Sequence, residues 1–364
     1  MKDKMLVLQN GKVYYGKGFG SDKTQIAELI YNTSMVGYQE ILSDPSYRGQ
    51  MVVMSYPLIG NYGLADDDYE SSWFDVAALI VREYNDTPSN FRYTKTISEV
   101  MIDNNVAGIS GIDTRELFRI IRSEGTMLAM VTDADRNVKE CLEEIKNYKP
   151  DEKPVDVVTS KKIWYVRTKN PKYTILAVDC GIRRSTIKAL QNMGANVVIV
   201  PYNTDIDTIM KYNPDGILIS DGPGDPRLVP EVIETIKELK GKLPVLGECL
   251  GAELIALAYG VKMYKLKCGH RGANHPIRRL SDNKIEFHVQ NHAYSADKDS
   301  INKSGLTVTQ VNVLDDTAEF FEDKENGVFA TMYYISDGGD VYKEFFGAVD
   351  KVVGGKGNAQ ENRY

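Results

Sequence analysis

The sequence predicts an α/β protein of two domains, mixed in its first half and built on a largely parallel, helix-flanked sheet in its second. Three observations predict this. The chain has 364 residues, and a soft prior of ~150 residues per domain gives two. From residue 171 onward, buried-strand runs alternate with helical runs, as in a parallel sheet covered on both faces. Glycine turns follow two of those strands, at the strand ends where open α/β sheets bind ligands.

Each element has a local reason. In "KMLVLQNGKVYYG", Asn10-Gly11 separates two strand-like runs and predicts a hairpin. "QMVVMSYPLIG" reads as a strand. "TRELFRIIRSEG" carries Leu117, Phe118, Ile120 and Ile121 at helical spacing and closes at Gly125. "KECLEEIKNY" reads as a further short helix. The polar stretch from Lys149 to Lys162, with Pro150 and Pro154, lacks helical period and predicts the interdomain connection. The domain reading is therefore 1–150, a linker over 151–170, a second domain over 171–355 and a flexible tail over 356–364. In the second domain "YTILAVDCG", "ANVVIVPY", "DGILISDGPGDP" and "LPVLGECLG" read as strands, with helices between them.

Composition narrows the function classes. With 42% hydrophobic and 26% charged residues the chain is an ordinary globular protein. Its net charge of -7 argues against non-specific nucleic-acid binding, which needs a basic surface. No run approaches the ~18–20 apolar residues of a membrane span. The apolar core of "MKDKMLVLQNGK" is too short for a signal peptide. A cytoplasmic location is expected. Cys141, Cys180, Cys249 and Cys268 form no CxxC pair, so free thiols and no metal site are expected.

The chemistry centres on "GECLGAEL". Cys249 sits between Gly247 and Gly251, after an apolar strand run and before a helical run. That is a nucleophile on a strand-to-helix elbow, where glycines relieve crowding. The helix dipole is expected to lower the thiol pKa. "SDGPGDP", from Ser220 to Pro226, is a glycine loop able to present N–H groups to an oxyanion or carboxylate. Its position at a neighbouring strand end predicts a cleft shared with the elbow.

These motifs resemble a known family. The second half resembles a class I, triad-type glutamine amidotransferase domain. With "YNTSMVGYQEILSDPSYRGQ", "YPLIGNYG", "GISGIDTRELFRIIRSEGTM", "DCGIRRS", "YKLKCGHRGANHPI" and "VQNHAYS", the whole chain resembles the small subunit of carbamoyl-phosphate synthetase. The resemblance implies an N-terminal domain contacting a large subunit. It implies glutamine hydrolysis through a cysteine thioester, with ammonia passed to that large subunit. The partner would use ATP, Mg and bicarbonate to make carbamoyl phosphate for arginine and pyrimidine synthesis, with no cofactor or metal in this chain. Motif by motif, Cys249 becomes the nucleophile. The glutamine pocket falls on Ser46, Gly222, Gly224, Leu250, Glu253, Asn291, Ala293 and Tyr294.

The chain departs from that pattern where the triad is completed. The family's "YHPE" stretch reads Tyr334, Ile335 and Ser336 here, so Tyr334 takes the histidine place and Ser336 the glutamate place. Around the nucleophile, Glu248 replaces an aliphatic residue, Ala252 a histidine and Glu253 a glutamine. Tyrosine, with a pKa near ~10, is a poor base at neutral pH, and serine does not charge-stabilise an imidazolium. Glu248 is expected to raise the thiol pKa if it points inward. The four histidines, His270, His275, His288 and His292, are read as structural hydrogen-bonders, with recruitment of His270 or His292 as base the minor alternative. The expectation is weak intrinsic glutaminase. The alternative is a non-catalytic scaffold or regulator of an ammonia-fed large subunit. A repurposed hydrolase would need a base that the sequence does not supply.

Overall fold

The computed structural model describes residues 2–361, with side chains as far as residue 355. The chain divides into two compact units. One comprises residues 1–154 with 267–273, the other residues 155–266 with 274–364.

The N-terminal unit is a closed barrel. Its strands run, in barrel order, Asp3–Leu8, Val13–Gly20, Ala107–Ser110, Ala78–Ile80, Gln50–Met54, Gln25–Asn32 and Met127–Asp133. The first two form the hairpin expected at Asn10-Gly11: Leu6 pairs with Tyr14, and Gly11 has a φ of 89°. Closure leaves no free edge among these strands. The helix Thr114–Glu124 is capped by the Asp113 side chain and stops at Gly125. It buries Leu117, Ile120 and Ile121 against Leu6, Leu29 and Val131 of the barrel wall.

The second unit carries a ten-stranded sheet. Its parallel centre runs in the order Ala195–Pro201, Tyr173–Asp179, Gly216–Ile219, Val245–Glu248 and Val328–Thr331. Antiparallel strands extend it beyond Val328–Thr331, beginning with Ala318–Asp323 and Thr307–Asn312. Successive residues of a strand serve opposite faces. Leu176 and Val178 lie in one core with the helices Pro230–Leu239 and Leu250–Ala258. Ile175 and Ala177 lie in the other, with Arg184–Asn192 and the first turns of Asp340–Glu361. Both faces are covered, which explains why these strands read as continuous apolar runs.

Three details differ from the sequence reading. Val155–Val158, assigned to the connection, is a short helix, and Val155 is buried in the core of the second unit. Residues 267–273 pack with the N-terminal unit. The last helix runs to Glu361, into the stretch expected to be a flexible tail; residues 362–364 lie outside the described residues.

Candidate active site

The elbow forms where the sequence places it. The strand Val245–Glu248 ends immediately before Cys249, and the helix Leu250–Ala258 begins immediately after. Cys249 has φ 47° and ψ -105°, a backbone state rare for a residue with a side chain. Its neighbours are glycines for steric reasons. A Cβ on Gly247 would lie 2.6 Å from the Gly251 carbonyl, and one on Gly251 would lie 2.1 Å from the Ile219 carbonyl. The second contact also packs the elbow against the strand that feeds the glycine loop. Gly222 of that loop is equally confined, with an added Cβ 2.2 Å from the Cys180 carbonyl. Gly224 has φ 103°. The loop and the elbow are thus neighbours, as expected.

Cys249 is fully buried. Its N–H donates to the Thr331 carbonyl at 2.8 Å, and its thiol donates to the Met332 carbonyl at 3.6 Å. The thiol's hydrogen bond therefore goes to the backbone and not to an imidazole. Its pKa lies well above the usual thiol value. Burial is the main cause, the carboxylates of Asp221 and Glu248 add to it, Arg183 opposes it, and Glu253 adds again. This overturns the expectation of a helix-lowered thiol: burial and the nearby carboxylates set the direction.

Glu248 does point inward, into a built network. Arg183 Nη2 donates to its Oε1 at 2.9 Å, and the Ile335 N–H donates to the same oxygen at 2.8 Å. Thr186 Oγ1 donates to Oε2 at 2.9 Å. Both ionic side chains are nearly inaccessible, at 7% for Arg183 and 1% for Glu248, so water does not screen the pair. The Arg183 guanidinium also lies over the Tyr334 ring, 3.5 Å from its centroid. Sequence reasoning missed Arg183 and Thr186. Both sit at the start of the helix after "DCGI", more than 60 residues before Glu248, with no local signal linking them.

The other sequence-derived positions fall as follows. Tyr334 is half-buried, and its N–H donates to the Val289 carbonyl at 2.9 Å. Ser336 is exposed at the head of a turn closed by Gly339 N–H to its carbonyl, and it lines a cleft of about 780 Å³. Leu250 and Glu253 are buried in the first turn of the elbow helix. Asn291, Ala293 and Tyr294 lie on the strand Ile285–Ala296, with Asn291 and Tyr294 buried. Burial, with the Asp225 carboxylate next, holds the Tyr294 phenol well above its usual range. Ser46 belongs to the N-terminal unit, on the turn Pro45–Tyr47, where its N–H donates to Asp44 Oδ1 at 2.9 Å.

The histidines have other attachments. His292 Nδ1 bonds the Tyr294 carbonyl at 2.9 Å, and its Nε2 lies 3.9 Å from Glu319 Oε2. The His288 ring lies against Tyr333 in a tilted contact, centroids 4.0 Å apart, and burial lowers its pKa. His270 belongs to the N-terminal unit and His275 to the second.

Comparison with known proteins agrees with this architecture. Residues 6–131 match the carbamoyl-phosphate synthase small chain, CPSase domain, and residues 176–333 match the glutamine amidotransferase class-I family. The carbamoyl phosphate synthase small chain of Fusobacterium nucleatum is 40% identical over 334 residues, covering 92% of this chain and 93% of that one. That of Listeria monocytogenes serotype 4b is 40% identical, covering 92% of each. That of Staphylococcus saprophyticus is 38% identical over 357 residues, covering 96% of this chain and 97% of its own. Among solved structures, a putative GMP synthase component from Thermoplasma acidophilum covers 52% of this chain and 98% of its own, at 20% identity and a TM-score of 0.42. Over nearly its whole length, then, the chain belongs to the carbamoyl phosphate synthase small chain family, with a class-I glutamine amidotransferase domain as its second half.

Proposed function

We propose that this chain is the small-subunit partner of a large, ATP-using carbamoyl phosphate synthase subunit, with a degenerate triad and little or no glutaminase activity of its own. Glutamine hydrolysis at Cys249 would need a thiolate to attack the amide carbonyl. The departing ammonia must take up a proton, and water must then cleave the thioester. Each proton movement calls for a base near the sulfur. The observation that carries the proposal is the arrangement around Cys249. Its thiol bonds a backbone carbonyl, and Tyr334, at the histidine place, is engaged by Arg183, which is itself bound to Glu248. Tyrosine, with an ordinary pKa of ~10, is a poor base at neutral pH in place of a histidine. Loss of triad members costs a hydrolase several orders of magnitude in rate.

In this reading the glutamine pocket is Ser46, Gly222, Gly224, Leu250, Glu253, Asn291, Ala293 and Tyr294. Glu253, when ionised, accepts hydrogen bonds but donates none, unlike the glutamine it replaces. The partner works in the cytoplasm with ATP, Mg and bicarbonate, serving arginine and pyrimidine synthesis. A scaffold that supports an ammonia-fed partner is the second reading, favoured by the buried carboxylate of Glu248 beside the thiol.

Thioester trapping with labelled glutamine tests the proposal, with and without the large subunit and against Cys249→Ala. Slow label on the wild type alone supports a binding-competent site that lacks its base. No label in either case favours the scaffold. Label that turns over rapidly into free glutamate contradicts both.

A further inference from the structure

Two backbone N–H groups converge beside Cys249, and one side-chain oxygen already accepts from both. Asp221 Oδ1 lies 2.7 Å from the Gly222 nitrogen and 3.4 Å from the Leu250 nitrogen. Gly222 belongs to the glycine loop, and Leu250 is the residue after the nucleophile position. Asp221 is 2% exposed. The loop that carries it is pinned from behind. Ser220 Oγ donates to the Asp221 carbonyl at 2.8 Å and accepts from the Cys180 N–H at 2.9 Å. Gly222 sits too close to the Cys180 carbonyl for the loop to recede.

On a nucleophile elbow, the N–H after the nucleophile and an N–H from a neighbouring loop are the donors that stabilise a tetrahedral oxyanion. We propose that Asp221 occupies this chain's oxyanion hole with its own carboxylate, so that Cys249 is denied the tetrahedral adduct of a carbonyl substrate. This rests on the reading of Cys249 as the acyl-transfer position. The physical reason is twofold. The donors are taken, and an incoming oxyanion would meet a like charge in a water-poor site, where repulsion is strong. The same carboxylate raises the pKa of the Cys249 thiol, second only to burial among the causes. Asp221 is thus a specificity-determining residue that acts against the acyl transfer its surroundings would otherwise support.

The test uses the full chain and an aldehyde analogue of glutamine, with –CHO in place of the side-chain amide. Cys249 adds to it reversibly: an S–C bond forms, the C=O π bond opens, and the thiol proton ends on the new hydroxyl oxygen. No group leaves, so the adduct reports the oxyanion hole without needing a base for turnover. Iodoacetamide, which forms no tetrahedral oxyanion, reports thiol reactivity alone.

In Asp221→Asn the aldehyde affinity is expected to rise at least ~10-fold more than the alkylation rate, a modest share of the ~10²–10³ that one oxyanion donor is worth. Asp221→Ser, smaller and neutral, repeats the comparison if the amide variant folds poorly. The wild type alone also decides: no adduct is expected up to about millimolar aldehyde, a binding free energy weaker than ~4 kcal/mol. A micromolar adduct in the wild type, or variant affinities that rise only in step with alkylation, overturns the proposal. Ammonia release from glutamine separates this result from the weak-glutaminase reading. Tight aldehyde binding by Asp221→Asn without ammonia release leaves both standing. Fast release by the wild type removes the weak-glutaminase reading and, since it passes through a tetrahedral adduct, this proposal with it, whereas a micromolar wild-type adduct without ammonia release overturns this proposal alone.

Discussion

The Arg183 guanidinium carbon stands 3.5 Å from the centroid of the Tyr334 ring, while its Nη2 holds Glu248 at 2.9 Å. One arginine therefore ties Glu248, the residue before Cys249, to Tyr334. Three residues that look unrelated in the sequence form one packed unit. A desolvated guanidinium on an aromatic face contributes about 2 kcal/mol, and the buried ion pair makes each member depend on the others.

Removing one ionic partner strands the other in the core. Glu248→Leu and Arg183→Met are each expected to lower unfolding free energy by about 3 kcal/mol. The double variant is expected to lose less than the sum, with a coupling of about 2 kcal/mol. Urea unfolding of the four proteins checks this, and strict additivity would contradict a paired network.

The elbow holds Cys249 at a positive φ, so a residue without Cβ should suit it. Cys249→Gly is expected to be at least as stable as Cys249→Ala, because relief of ~1–3 kcal/mol of strain offsets glycine's extra entropy. Gly251→Ala is expected to cost about 3 kcal/mol or more, since its methyl meets the Ile219 carbonyl. Thermal or urea unfolding of the three variants reads both effects.

The raised pKa of Cys249 gives a pH dependence with a definite sign. The folded value lies above the unfolded one, because burial and the Asp221 and Glu248 carboxylates disfavour the thiolate. Its contribution to stability is therefore complete below the unfolded thiol value of ~8.5 and is lost as pH rises through the folded value. Iodoacetamide labelling of Cys249 is expected to keep climbing above that pH. Glu248→Gln is expected to shift the labelling profile to lower pH, by removing a charge that raises the pKa. Cys249→Ala is expected to lose less stability on alkalinisation than the wild type.

Much of this was legible where the signal was local. Asn10-Gly11 specified its hairpin, Asp113 and Gly125 bracketed a helix, and the alternation after residue 171 predicted the parallel sheet. Glycines around Cys249 signalled the elbow because crowding there admits little else. Barrel closure in the first half was not legible. It depends on Gln25–Asn32 pairing in parallel with Gln50–Met54, and on Met127–Asp133 returning to Asp3–Leu8, pairings that leave no mark in either strand alone. The partners of Glu248 were hidden for the same reason. Arg183 and Thr186 read as an ordinary helix start, and only the fold carries them to the elbow. Asp221 belongs to a loop whose glycines were legible, but its hold on two nitrogens depends on a helix beginning 29 residues later.

Under the proposed function, placing a histidine and a glutamate at the expected triad positions should not by itself restore chemistry. Tyr334→His with Ser336→Glu leaves the Arg183–Glu248 pair and the Asp221 carboxylate in place. Glutaminase activity is expected to stay within about threefold of the wild type, because a base without an oxyanion hole recovers little transition-state stabilisation. A gain of several orders of magnitude would show that the lost base was the whole deficit.

The most direct measurement is the rate of ammonia release from glutamine by this chain assembled with its large subunit, set against the same complex carrying Cys249→Ala. The proposed function expects the two rates to agree within about tenfold, a difference of ~1.4 kcal/mol in activation free energy. A wild-type rate more than about a thousandfold above the Cys249→Ala complex, the scale on which an intact triad works, would contradict it.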